Sequence, residues 1–193
     1  MKLVLASASP RRRELMALAA PAYEVCVSDV DESALTAPDP AALAQVLADA
    51  KCAAATALRP GDVVVGCDTV VDVDGAVLGK PCDTREARQM MHAISGRAHL
   101  VHTGVCLAVP GRQSDIFACT SVVHFAPLEE QEIEAYIATQ EPYDKAGGYA
   151  VQGVAARFVL GIEGCYHNVM GLPVSRVYAA LRRAGVVKIT QNQ

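Results

Sequence analysis

The run Ser7-Ala8-Ser9-Pro10-Arg11-Arg12-Arg13 gathers two hydroxyls, a proline suited to open a helix and three guanidinium groups. The N–H groups of a helix start and the positive end of its dipole attract anions. Serine hydroxyls add donors, and arginine forks match phosphate oxygens two at a time. Cations in a first turn oppose the dipole, by a few tenths to about 1 kcal/mol each, and a bound anion offsets that cost. A solvated surface turn is the plainer alternative. Asp68 offers the complementary chemistry, because it interrupts the apolar run from Val63 to Val71 with no base beside it in sequence. A lone buried carboxylate is costly unless it is paired or binds a metal, so Asp68 marks a site. A strand-end carboxylate capping a helix is the alternative. Its place just after Gly66 and Cys67 suggests a strand nearing its end and opening onto a cleft.

Lys51 stands at the edge of an apolar helical stripe, where its ammonium either snorkels outward or reaches a pocket. Lys80, in Leu78-Gly79-Lys80-Pro81, follows a hairpin in a stiffened loop, where a lysine is ordinarily solvated. The segment from Tyr143 to Gly153 is rich in glycine, which lets backbone approach a ligand closely. It ends on Gln152, whose amide carries the donor and acceptor needed to read a pyrimidine edge. A surface glutamine is the alternative. The histidines show no H-E-x-x-H spacing, and His99 and His102, three apart, must face opposite sides of a strand. No G-x-x-x-x-G-K-[ST] loop is present.

These residues need elements to position them. Lys2–Ala6 reads as a strand leading into a helix capped by Ser9, and a second strand is expected around Ala22–Ser28. A long alanine-rich helix opens near Pro38–Pro40 with Leu43, Val46, Leu47, Ala50, Ala54 and Leu58 as its apolar stripe. Val63–Val71 reads as a central strand, and Asp74-Gly75 as a two-residue hairpin turn. Asp83 and Glu86 open a helix that runs through Ile94 to a C-terminal Gly96. Strands at His99–Val109 and Ser114–Phe125 flank the turn Pro110-Gly111. Helices at Leu128–Thr139 and Pro173–Ala184 complete the set. The pattern predicts an α/β fold with a mixed, strongly twisted sheet flanked by helices, its ligand cleft between two lobes of a single domain over 1–193.

Composition narrows the function. A net charge of −4 and 5% aromatic residues argue against a nucleic-acid binder. The seven cysteines are scattered, without a C-x-x-C pair, and read as reduced, mostly buried thiols. The first residues carry too short an apolar stretch for a signal peptide, and no apolar run reads as membrane-spanning. The expected location is the cytoplasm, with neither nucleic acid nor membrane as partner.

Together, LASASPRRRELM, VDES, ADAKCAAA, GCDTVV, LGKP, ISGRAHLVHTGV, PYDKAGGYAVQG and IEGCYHNVMGLP resemble, in order, the Maf family of nucleotide pyrophosphatases. The resemblance implies hydrolysis of a nucleoside triphosphate to monophosphate and pyrophosphate, on an elongated fold similar to inosine triphosphate pyrophosphatases. It implies a divalent cation, Mg²⁺ or Mn²⁺, and a homodimer. By position, Asp68 corresponds to the proton acceptor and metal ligand, Glu32 to a second acidic position that helps hold metal, and Ser7, Arg12, Lys51 and Lys80 to phosphate contacts. Ser9 belongs to the same phosphate loop. Arg11, Thr69 and Gln152 match the branch acting on dTTP and UTP. Cys67 and Arg13 are local departures. Clearance of modified pyrimidine nucleotides, and a nucleotide-sensing role in septum formation without turnover, are the competing expectations.

Overall fold

The computed structural model describes residues 1–27 and 29–188. Among these residues seven strands form one mixed sheet. They are β1 (Leu3–Ala6), β2 (Glu24–Val25), β3 (Val63–Val73), β4 (Ala76–Leu78), β5 (Ala98–Ala108), β6 (Asp115–Phe125) and β7 (Val159–Glu163), ordered β2-β1-β3-β5-β6-β7 with β4 on β3. Both neighbours of β1 run parallel to it, and the remaining pairs are antiparallel. The helices are α1 (Pro10–Ala19), α2 (Pro40–Leu58), α3 (Thr84–Ile94), α4 (Glu130–Ile137), α5 (Tyr166–Met170) and α6 (Val174–Arg183). The second strand is only Glu24–Val25, shorter than its apolar flanks suggest, and the Ser28 end of the expected range lies outside the described residues. Asp74 and Gly75 both take positive φ in a tight hairpin turn, and the Asp72 carboxylate accepts the Gly75 N–H at 2.7 Å.

Alternation along β3 divides the molecule. Val63, Val65 and Cys67 face a core closed by α1 and α6, including Leu15, Met16, Val177 and Leu181. Farther along the same face, Val71 and Val73 enter a second core under α3 and α4 with Met91, Ile94, Ile133 and Tyr136. Val64 and its neighbours face α2 through Ala48, Cys52 and Ala55.

The helix α2 corrects two expectations. Its buried residues are Ala44, Leu47, Ala48, Cys52 and Ala55, whereas Val46 and Leu58 are exposed. The reason lies beneath it. A Cβ built on Gly66 would stand 2.3 Å from the Ala48 carbonyl oxygen, and one on Gly104 2.1 Å from that of Ala44. Helix and sheet meet nearly backbone to backbone, so the face that fits is made of small side chains. The helix is also long and apolar enough to cross a membrane by length and composition, contrary to the initial reading, yet it lies against β3 and β5.

In the second core His99, 3% exposed, shares a 2.7 Å hydrogen bond with the Tyr149 hydroxyl and packs against the Phe125 ring. His102 faces the opposite side and contacts Asp72 and Thr120, as strand parity requires. Burial, aided by the charge of His124, pushes the His99 pKa down from 6.5 to about 4. The unfolded chain therefore takes up a proton that the folded chain refuses. The stability owed to the neutral ring is full above pH 6.5 and drains as pH falls toward 4, by about 3 kcal/mol. His99→Gln, which does not titrate, is expected to flatten this part of the stability profile, measured by urea unfolding across that range.

Candidate active site

A gap in one sheet edge creates the site. Along one side of β3, β1 pairs with Val63–Gly66 and β4 with Val71–Val73, while β5 covers the other side from Val64 to Asp72. Cys67 to Val70 therefore have no strand partner on the β1/β4 side, and a cleft of about 770 Å³ opens there. Asp68 lies in the middle of an unbroken strand rather than near its end, correcting the sequence expectation. It is open to the cleft because the neighbouring strands stop. The carboxyl end of β1 and the start of α1 form the adjoining wall, the usual crevice of open α/β sheets.

Asp68 is 8% exposed and paired. Lys51, reaching across from α2, donates a short hydrogen bond to Asp68 Oδ1, and its Nζ also lies 2.9 Å from Glu32 Oε1. The snorkelling alternative for Lys51 is thereby set aside. Glu32 opens a single 3₁₀ turn capped by Asp31, which brings its carboxylate over the cleft. Arg12 Nη2 stands 3.9 Å from Asp68 Oδ1. A buried carboxylate between two cations avoids the penalty of a lone charge, and removing either partner exposes it.

Ser9 caps α1 by accepting the Arg12 N–H, and Ser7 Oγ accepts the Ser9 N–H at 3.3 Å and Arg12 Nη1 at 3.5 Å. Arg12 Nε donates to the Gly171 carbonyl at 2.9 Å and Nη2 to Thr69 Oγ1 at 3.0 Å. Arg11 also faces the cleft, 3.7 Å from Asp144, whereas Arg13 is exposed and outside its lining. Two of the three arginines, not all three, line the cleft. Lys80 and Gln152 are exposed on the far rim. The Gly147 N–H holds the Lys80 loop through the Gly79 carbonyl at 2.9 Å. The Glu141 carboxylate accepts from the Val154 and Ala155 amides behind Gln152. Burial pushes this carboxyl up, but the two amides, the Tyr136 hydroxyl and Lys145 outweigh it and hold its pKa below the ordinary value. Cys67 points away from Asp68 into the α1/α6 core, where burial pushes its thiol pKa up.

The ten residues singled out from sequence all line this one cleft. Lys145, Thr103 and Gly171 were not singled out. Lys145 also lines the cleft, donating to the Glu141 carbonyl and pairing with Asp144, and its place inside the glycine-rich segment was the available signal. Gly171, which ends α5, lines the cleft as well, and no local signal ties it to Arg12; Thr103 stands opposite Thr69 on β5, and only the strand register would have revealed it. As a cation site, Asp68 and Glu32 supply two carboxylates that both meet the Lys51 ammonium, and among the described residues no cluster of three or more acidic, histidine or cysteine ligands occurs. That donor set fits a hard divalent ion held by one or two carboxylates together with phosphate oxygens.

The same architecture recurs in solved structures. The Staphylococcus aureus Ham1 protein superposes with a TM-score of 0.55, covering 95% of this chain and 100% of that one at 13% identity. A HAM1 protein from Coxiella burnetii gives 0.51, with 95% and 99% covered at 14% identity. The chain thus has the fold of the Ham1 proteins, a mixed twisted sheet flanked by helices. Within that fold it belongs to the Maf-like protein family, whose pattern matches residues 2–184. Relatives named dTTP/UTP pyrophosphatase include one from Symbiobacterium thermophilum, 46% identical over 95% of this chain and 94% of its own. Another, from Anaeromyxobacter sp., is 48% identical over 95% and 90%.

Proposed function

We propose that the chain is a nucleoside triphosphate pyrophosphatase acting on dTTP and UTP, releasing the monophosphate and pyrophosphate. The observation that carries this reading is Asp68, a buried carboxylate opening onto a cleft between Lys51, Arg12 and the capped start of α1. The relatives' names supply the substrate class.

In this reading Ser7, Ser9, Arg12, Lys51 and Lys80 hold the triphosphate. Asp68 orients a water and accepts its proton as the water oxygen bonds to the α-phosphorus. The bond from that phosphorus to the bridging oxygen breaks, and pyrophosphate leaves with the electron pair. Charge grows on the phosphoryl oxygens, where fixed guanidinium and ammonium groups stabilise it better than reorienting solvent does. Mg²⁺ or Mn²⁺ held by Asp68 and Glu32 would supply further charge neutralisation there. Gln152, with Arg11 and Thr69, contributes to the choice of base, and a pocket bounded by exposed Gln152 leaves room for modified pyrimidines.

The whole chain serves as one domain, supported by its single continuous sheet. A cytoplasmic setting is supported by seven free cysteines, and a homodimer by the family resemblance. A sensor without turnover is disfavoured, since sensing gives no reason to hold Asp68 opposite a phosphate grip. The test is pyrophosphate release from dTTP, UTP, CTP, GTP and 7-methyl-GTP with Mg²⁺ or Mn²⁺. Preferential turnover of dTTP and UTP is expected, and tight binding with no turnover of any of them would overturn the reading.

A further inference from the structure

Thr103 on β5 lies behind the cleft and is fully buried. It is the cross-strand partner of Thr69, and their hydroxyl oxygens are 2.9 Å apart. Arginine has donors only, so Thr69 Oγ1 accepts from Arg12 Nη2, and because the single hydroxyl hydrogen of Thr103 goes to a backbone carbonyl, Thr69 passes its own hydrogen to Thr103. Thr103 in turn donates to the Asn168 carbonyl at 2.9 Å. Every hydrogen in this chain has one direction, from guanidinium through two hydroxyls to a backbone carbonyl. Its far end is itself fixed, because the Asn168 side-chain amide donates to the Val101 carbonyl and to Ser121 Oγ, each at 3.0 Å. The next turn of the same segment supplies the Gly171 carbonyl that grips Arg12 Nε.

We infer that Thr103 is a positioning residue for the triphosphate, acting through Thr69 to fix the guanidinium plane of Arg12. Arg12 is thus held at Nε by the Gly171 carbonyl and at Nη2 by Thr69, which leads through Thr103 to the Asn168 carbonyl of the same short segment, while Nη1 makes only a long contact with Ser7 at the lining of the cleft. The geometry also gives Thr69 a role apart from reading a base: its oxygen is already committed in both directions. A guanidinium held in advance loses less freedom on meeting a phosphate, so the benefit falls on binding. A hydrophobic replacement of similar shape at 103 leaves the packing but cuts the chain.

The inference rests on the proposed phosphate role of Arg12, and binding of the α,β-methylene analogue of dTTP, followed by calorimetry with Mg²⁺, separates the two. Thr103→Val is expected to weaken binding roughly tenfold, while Thr103→Ser restores it to within about twofold of the native chain. In an Arg12→Met background the Val substitution is expected to cost less than about twofold more, because the pathway it serves is gone. Equal losses in both backgrounds, or no loss in the native one, would overturn the positioning role. Failure of the native chain to bind the analogue would instead overturn the phosphate-site reading and the inference with it. Should Thr103→Val not fold, Thr69→Val cuts the same chain one link earlier and is judged by the same comparison.

Discussion

Asp68→Asn is expected to lower the rate of pyrophosphate release by roughly 10²–10⁴-fold, the range for loss of a positioned general base. The substitution keeps the shape of the side chain and its place between Lys51 and Arg12 but removes the charge and the proton-accepting oxygen. Lys51 retains Glu32 as a partner, so folding survives with a moderate change in stability. The measurement is kcat from pyrophosphate release, with urea unfolding and analogue binding in parallel. Activity within about tenfold of the native chain would remove Asp68 from the chemistry. Lost activity in a chain that still folds and still binds would identify the step that fails.

The second large effect is structural. Gly104→Ala is expected to destabilise the fold by about 3 kcal/mol, at the upper end for overpacking. The added methyl would stand 2.1 Å from the Ala44 oxygen and 2.6 Å from the Gln45 nitrogen. Both are backbone atoms of α2, so no side chain can turn aside and the helix must lift. Lifting α2 carries Lys51 away from Asp68, and catalysis should fall along with stability. Gly161→Ala is the control: a methyl there meets nothing within 4 Å, and its effect is expected within about 0.5 kcal/mol. Urea midpoints and kcat for the pair check both halves of the expectation.

The glycines also explain where sequence patterning succeeded and where it failed. The Ser9 cap, the Asp74-Gly75 turn and the Asp83 helix start are local devices, written in adjacent residues and realised as read. Hydrophobic spacing alone favours the larger residues of α2 for its buried face, whereas close approach to Gly66 and Gly104 selects Ala44, Ala48 and Cys52. That preference is set by residues more than ten positions away on other elements. Asp68 was legible as a charge out of place. Why it opens to solvent was not, because the answer is the spacing between the ends of β1 and β4 along a shared edge. Lys51 was ambiguous for a similar reason: the stripe placed it at a boundary, and only the fold supplied Asp68 and Glu32. The hydroxyl chain behind Arg12 depends on the β3/β5 register, which no local signal specifies.

The edge gap has two banks, and they stand on separate foundations. The bank with Ser7 and Arg12 is backed by the core under α1 and α6, and the bank with Lys80 and Gln152 by the core under α3 and α4. In the proposed reading the nucleotide spans both banks, since Arg11 and Arg12 stand on the first and Lys80 and Gln152 on the second. The width of the cleft is then set by how two separately packed cores seat on one sheet. A change deep in either core can alter the grip on the nucleotide without touching a residue that lines the cleft.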